Sequence, residues 1–167
     1  MKKRNIILIG MPGAGKSSVG VILAKVLGYE FIDTDLVIQH REKRLLREII
    51  ADEGNEGFLA IENEVNATLE ADKSVIAPGG SAIYGKEAME HFKEIGTIVY
   101  LKLSYEDLAK RLGNLKGRGV VLKEGQTLKD LYDERSKLYE QYAEITVDES
   151  GKDIQGTILA LREQIGM

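Results

Sequence analysis

The chain has 167 residues, enough for one compact domain with a sizeable apolar core. Its formal net charge of −4 argues against binding of nucleic acid through phosphate contacts, and its lack of cysteine excludes disulfides, thiolate metal sites and a cysteine nucleophile. The first apolar run is shorter than a signal-peptide core and no later run reaches membrane-spanning length, so we expect a single cytoplasmic domain over residues 1–167 that acts away from membranes.

Short apolar runs alternate along the chain with longer segments of helical period. The runs of strand length are residues 5–9, 29–33, 74–80, 97–103 and 144–148. Apolar residues recur at helical spacing in residues 17–27, 34–50, 58–69, 86–95, 127–142 and 153–164. Residues 113–125 are rich in glycine and have no periodicity, which predicts a loop. Five strands separated by helices predict a three-layer α/β/α domain around a parallel sheet.

The stretch GMPGAGKS, residues 10–17, matches the pattern G-x-x-x-x-G-K-[ST] between the first predicted strand and the first predicted helix. In that position glycines let successive N–H groups turn inward and hold phosphates at a helix N-terminus. We expect Lys16 to reach the β- and γ-phosphates of a nucleoside triphosphate and Ser17 to bind Mg²⁺. The other predicted nucleotide contacts in this segment are Gly13, Ala14, Gly15 and Ser18. The alternative, a glycine turn that caps an ordinary helix, does not require the lysine.

Two aspartates end the segment FIDTD, which contains the second predicted strand. Asp33 and Asp35 lie two residues apart, so on a strand their side chains would point to the same side. At the carboxyl end of a parallel strand they would face the crevice where ligands of α/β proteins bind. One carboxylate could orient a magnesium ion and the other could accept a proton from a hydroxyl group. An N-cap beside a solvated acid is the alternative.

The chain resembles the shikimate kinases, relatives of the nucleoside monophosphate kinases, over nearly its whole length. The resemblance rests on the segments GMPGAGKSSVG, LAKVLGYEFIDTD, FLAIENEV, APGGSAI, GRGVVL and DERSKLYEQYA. It implies a P-loop kinase fold with a lid loop at about residues 113–125 and acceptor-binding helices at about residues 34–70. It also implies ATP and Mg²⁺ as cofactors, shikimate as the acceptor, a role in aromatic amino acid biosynthesis, and a monomeric enzyme.

The resemblance further assigns roles to individual residues. Asp33 is expected near the magnesium site, and Asp35 is expected to contact acceptor hydroxyls and act as the catalytic base. Gly79 and Gly80 would let the backbone approach the acceptor ring. Arg118, in the glycine-rich lid, would close over the triphosphate, although an arginine there could equally be a solvated loop cation.

Two more arginines are implicated in the same way. By resemblance Arg111 would lie near the adenine, with an ordinary surface arginine as the alternative. Arg135 would bind the acceptor's carboxylate. It borders the apolar face of its predicted helix, where a guanidinium needs either an anionic partner or a route to solvent.

Three positions depart from the family pattern. Shikimate kinases normally read Phe-Arg-x-x-Glu in the segment FLAIE, where that arginine helps to hold the shikimate carboxylate; here Leu59 replaces it. Ser81 replaces the third glycine of the usual three, and the lid lacks the usual proline after its arginine. Glu62 therefore loses its expected partner and could contact the acceptor directly. Arg135 would hold the carboxylate alone, unless a nearby cation such as Arg47 assists or the acceptor is not shikimate.

The sequence therefore predicts an ATP-dependent kinase that transfers the γ-phosphoryl group to a hydroxyl of a small carboxylated acceptor, with shikimate as the first candidate. A kinase for a sugar acid or a nucleotide is the second enzymatic hypothesis. A nucleotide-binding domain without phosphoryl transfer is the third, and the set of Asp33, Asp35 and Arg118 argues against it.

Overall fold

The computed structural model describes residues 4–113 and 125–167, and it confirms the predicted five-stranded parallel sheet. The strands are β1 (Asn5–Ile9), β2 (Glu30–Asp33), β3 (Ser74–Ala77), β4 (Gly96–Lys102) and β5 (Ile145–Asp148). They lie in the order β2-β3-β1-β4-β5, and all neighbours are parallel. The helices are α1 (Lys16–Leu27), α2 (Thr34–Glu42), α3 (Leu46–Ala67), α4 (Lys86–Ile95), α5 (Tyr105–Gly113), α6 (Leu128–Tyr142) and α7 (Ile154–Ile165). A short 3₁₀ turn, Ala82–Tyr84, follows β3.

Helices cover both faces of this sheet. Along β1, Ile7 and Ile9 point to one face, where they pack with residues of α4, α5 and α6. Ile6 and Leu8 point to the other face, where they pack with residues of α1 and α7. The central strand is buried on both sides, which explains its continuous apolar sequence. The predicted three-layer architecture is confirmed.

The order of the strands in the sheet places a crevice between β1 and β3. Helix α1 leads from β1 to β2 across one face of the sheet, and α4 leads from β3 to β4 across the opposite face. The connections after these two neighbouring strands therefore diverge and leave a gap at their carboxyl ends, where ligands of open α/β sheets bind.

The helix predicted over residues 34–50 is in fact two helices, so that prediction was wrong. Helix α2 ends at Glu42, and Lys43 adopts the left-handed conformation with a φ of 55°. Helix α3 begins after Leu45, whose N–H donates to the Glu48 carboxylate at 3.0 Å. Gly54 interrupts α3 with a φ of 74°, and the helix then continues through the second predicted segment to Ala67. Apolar periodicity runs across the break, and no glycine or proline marks it.

Helices α2 and α3 pack against each other through a third apolar cluster beside the main core. Its buried members are Ile38, Ile49, Phe58 and Val65. This pair of helices forms one wall of the crevice.

No helix in the described part of the chain has both the length and the apolar character needed to cross a bilayer.

Candidate active site

The phosphate loop joins the end of β1 to the start of α1. Gly10 and Gly15 have positive φ angles of 152° and 81°, and a Cβ atom on Gly10 would lie 2.8 Å from the carbonyl oxygen of Leu101. Glycine is therefore required at the start of this turn. Gly15 precedes α1, and no described side chain caps the first-turn N–H groups of that helix. These N–H groups are free to bind an anion.

Lys16 lies at the bottom of this loop and is only 9% exposed. Its ammonium group donates to the carbonyl oxygens of Gly10 at 2.8 Å and Met11 at 2.9 Å. Burial lowers the Lys16 pKa to about 8, and the negative charge of Asp35 opposes that effect. The lysine remains largely charged at neutral pH, as a ligand for phosphate oxygens must be.

The two aspartates of FIDTD take different structural positions. Asp33 is the last residue of β2 and the N-cap of α2, and its Oδ1 accepts the Asp35 N–H at 2.9 Å. Asp35 belongs to the first turn of α2, so the expectation that both project from one strand was wrong. The N-cap alternative is correct for Asp33. Both residues nevertheless line the same cavity.

Asp35 has an environment suited to proton transfer. Burial raises its pKa to about 6, and the neighbouring charge of Asp33 adds to the increase while Lys16 opposes it. A carboxyl group with a pKa just below neutral pH is both largely ionised and basic enough to accept a proton.

Glu62, on α3, is 1% exposed and faces residues 78–81 after β3. Its Oε1 accepts the Ser81 hydroxyl at 2.7 Å, while Oε2 has no hydrogen-bond partner among the described residues. Burial raises the Glu62 pKa to about 7, against the opposing effect of the Ser81 bond. Ser81 thus holds the Glu62 carboxyl group in place.

Gly79 brings the backbone close to both carboxyl groups. A Cβ atom there would lie 2.9 Å from Glu62 Oε2 and 3.0 Å from Asp35 Oδ1. A side chain at this position would displace one or both, so glycine allows the two groups to stand beside the backbone after β3.

Arg135, on α6, is a buried guanidinium without a carboxylate partner among the described residues. It is 2% exposed, and its guanidinium carbon lies 5.5 Å from the centre of the Tyr84 ring. Its Nη1 lies 3.0 Å from the point where a Cβ on Gly80 would stand, and the Tyr139 hydroxyl donates to the Gly80 carbonyl at 2.7 Å. So little exposure argues against the alternative that the side chain reaches solvent. A buried charge of this kind calls for an anionic ligand.

These groups surround one cavity of about 940 Å³, which we call the central cavity. Of the residues selected from the sequence, the structure brings to its wall Gly13, Gly15, Lys16, Ser17, Ser18, Asp33, Asp35, Glu62, Gly79, Gly80 and Arg135. The cavity is large enough for a small-molecule substrate and is lined by convergent polar groups.

Three of the selected residues that the structure describes do not line the central cavity. Ala14 is buried within the phosphate loop, and its N–H donates to the Met11 carbonyl at 3.0 Å. Leu59 packs against the cluster between α2 and α3, whereas Phe58 and Glu62 face the cavity. Arg111 is exposed but donates to the Gly13 carbonyl at 2.9 Å, which places it against the phosphate loop. Arg118 lies outside the described residues.

Glu149 is a buried acid that sequence reasoning did not select. It follows β5 at the same edge of the sheet, and burial raises its pKa to about 7 against the opposing charges of Arg111 and Lys16. Its place just after a predicted strand was the only available signal.

Comparisons with known proteins identify the family of this chain. A family model for shikimate kinase matches residues 12–165. A shikimate kinase of Vibrio cholerae serotype O1 is 36% identical over 169 residues, which cover 98% of this chain and 97% of the relative. The solved structure of shikimate kinase from Acinetobacter baumannii in complex with shikimate matches with a TM-score of 0.79 and 34% identity, covering 97% of this chain and 90% of that chain. The solved shikimate kinase of Aquifex aeolicus matches with a TM-score of 0.78 and 30% identity, covering 97% and 96%. The chain therefore belongs to the shikimate kinase family and has its P-loop kinase fold.

Proposed function

We propose that this chain transfers the γ-phosphoryl group of ATP to a hydroxyl of shikimate, giving shikimate 3-phosphate and ADP, in aromatic amino acid biosynthesis. The observation that carries the proposal is the content of the central cavity: a phosphate loop, the carboxyl group of Asp35, and the buried guanidinium of Arg135, which forms no ion pair with a described carboxylate. These groups suit, in turn, the donor phosphates, the reacting hydroxyl and the carboxylate of the acceptor. The similar Acinetobacter baumannii protein was solved in complex with shikimate, which supports this acceptor.

The phosphate loop and Lys16 hold the triphosphate of ATP. Inward N–H groups and the Lys16 ammonium complement charge on the transferred group, and such positioned charge supplies most of the catalysis in phosphoryl transfer. Arg111 fixes the loop backbone through its bond to the Gly13 carbonyl. We assign it to the adenine end of the nucleotide. Arg118 lies outside the described residues, and its role as a further cation for the phosphates stays a prediction.

Ser17 and Asp33 fit a magnesium site beside these phosphates. Both line the central cavity, and hydroxyl and carboxylate oxygens suit Mg²⁺. Asp33 uses Oδ1 to accept the Asp35 N–H, and its second carboxylate oxygen has no hydrogen-bond partner among the described residues. A Mg²⁺ ion held by these two residues would neutralise charge on the phosphate oxygens.

Asp35 is the general base. The acceptor oxygen forms a bond to the γ-phosphorus while the bond from that phosphorus to the β,γ-bridging oxygen breaks, which releases ADP. The proton of the acceptor hydroxyl passes to the Asp35 carboxylate. Because its pKa is about 6, most Asp35 side chains are ionised at neutral pH.

Arg135 binds the acceptor's carboxylate, while Gly79 and Gly80 let the acceptor ring approach the backbone after β3. Glu62 borders the same ring position, with Ser81 fixing its orientation. Leu59 fills the apolar cluster behind this wall.

Product analysis tests the proposal directly. The protein is incubated with ATP, Mg²⁺ and shikimate, and the mixture is separated and analysed by mass spectrometry. We expect equal amounts of ADP and shikimate phosphate. ADP without a phosphorylated acceptor, or no ADP at all, would overturn the assignment in favour of a nucleotide-binding domain without phosphoryl transfer.

A further inference from the structure

Two arginines stand apart from the others in the described part of the chain. Each of the remaining described arginines contacts a carboxylate or a backbone carbonyl: Arg4 contacts Asp72, Arg41 contacts Glu64, Arg44 contacts Asp52, Arg111 contacts Gly13 and Arg162 contacts Met167. Arg47 and Arg135 have neither kind of partner among the described residues, and both line the central cavity. Two guanidinium groups that line one cavity and form no ion pair with a described carboxylate suggest a shared anionic ligand.

The start of α3 explains why Arg47 remains unpaired. The acids nearest to it in sequence are already engaged: Glu48 accepts the Leu45 N–H at 3.0 Å, and Asp52 accepts from Arg44 at 3.2 Å. The cavity-lining neighbours of Arg47 on this segment, Leu46 and Ile50, are apolar. The local sequence thus leaves a cation on the cavity wall with no carboxylate of the described chain to neutralise it.

The charges of the cavity also indicate where an acceptor's carboxylate can lie. Asp33, Asp35 and Glu62 make its β2–α2 side and the middle of α3 acidic, and Asp35 must face a hydroxyl for the reaction to proceed. A negatively charged substituent is therefore repelled from that side and is favoured near the guanidinium groups. Leu59 cannot contribute there, because it packs into the α2–α3 cluster and carries no charge.

We propose that Arg47 is a second guanidinium for the acceptor's carboxylate and, with Arg135, takes the place of the arginine that Leu59 replaces. This inference rests on the proposed function. Arg135 is the fixed partner, since it is buried under Gly80 and Tyr84. Arg47 is exposed and closes onto the carboxylate from the N-terminal end of α3.

The test compares Arg47→Gln with the matched control Arg41→Gln. Arg41 carries the same charge, pairs with Glu64 at 2.9 Å and does not line the central cavity. Each protein is assayed with shikimate and, by calorimetry, for binding of shikimate and of shikimate methyl ester, whose acid group is neutral. We expect Arg47→Gln to raise the KM and the Kd for shikimate about tenfold, the loss associated with one charged hydrogen bond. The Kd for the ester and the KM for ATP should change by less than about twofold.

Two results would overturn the proposal: a shikimate affinity in Arg47→Gln equal to that of Arg41→Gln, or an equal loss for acid and ester. If the native protein bound shikimate without phosphorylating it, the proposed function would fail, but the calorimetric comparison would still decide the role of Arg47. If the native protein bound no shikimate at all, both proposals would fall.

Discussion

The buried carboxyl group of Glu62 should make the stability of the ligand-free protein depend on pH. Its Oε1 has only the Ser81 hydroxyl and its Oε2 has no partner among the described residues, so the ionised form is poorly stabilised. Folding therefore favours the protonated form, whereas the unfolded chain loses this proton at lower pH. The contribution of Glu62 to the free energy of unfolding therefore falls as the pH rises from about 4.5 to about 7, and it is constant above that range.

The size of this effect follows from the difference in pKa between the folded and unfolded states. One pKa unit corresponds to about 1.4 kcal/mol, so a rise from 4.5 to about 7 corresponds to about 3 kcal/mol of unfolding free energy. Glu62→Gln removes the titration while keeping an oxygen for the Ser81 hydroxyl. When the pH is raised from 5 to 8, the free energy of unfolding of the native protein should fall by about 2–3 kcal/mol more than that of the variant.

Urea unfolding at the two pH values measures this difference. Asp35 and Glu149 also have raised pKa values and contribute slopes of the same sign, so only the comparison between variant and native protein isolates Glu62. The control is Glu94→Gln, an exposed acid on α4, which should keep the native pH dependence. If Glu62→Gln followed the native pH dependence as closely as this control, Glu62 would not be a buried, poorly solvated acid.

Three further substitutions separate catalysis, acceptor binding and packing. Asp35→Asn should lower kcat for shikimate by about 10²–10⁴-fold with the Kd for ATP unchanged, and near-normal turnover would remove Asp35 from the mechanism. In the native protein, kcat/KM should rise with pH through about 6 as Asp35 ionises, and a profile without that limb would contradict its role. Arg135→Gln should raise the KM for shikimate about ten- to a hundredfold without lowering the free energy of unfolding, because it removes a buried charge that has no ion pair among the described residues; a loss of stability with an unchanged KM would show a structural role instead. Leu59→Ala should cost about 1–2 kcal/mol of stability for a half-buried leucine while changing the KM for shikimate less than about twofold, as urea unfolding and steady-state kinetics would show; the reverse pattern would place Leu59 in the acceptor site.

The sheet and the phosphate loop could be predicted because local sequence determines them. A strand buried on both faces must be continuously apolar, as Asn5–Ile9 largely is, and the glycines at 10 and 15 meet conformational demands that other residues satisfy only at a cost. The break between α2 and α3 could not be predicted. Lys43 adopts a left-handed conformation without glycine's freedom, and the apolar spacing continues across it.

The central cavity was only partly predictable, since its most informative contacts join distant parts of the chain. The bond between Ser81 and Glu62 links residues 19 positions apart, and neither residue type alone suggests the other. The unpaired state of Arg47 depends on which acids its neighbours Arg44 and Leu45 engage. The sequence prediction placed Asp35 at the correct cavity but on the wrong element, because β2 ends at Asp33 and α2 begins before Asp35.

Acceptor choice tests the central claim most directly, because the proposed reaction is defined by the compound that receives the phosphoryl group. ADP release is measured with ATP and Mg²⁺ alone and after addition of shikimate, quinate, gluconate or CMP. If the account is correct, shikimate raises ADP release well above the acceptor-free rate and above the rates with the other three compounds. Background release with shikimate, together with a clear increase for another acceptor, would contradict it.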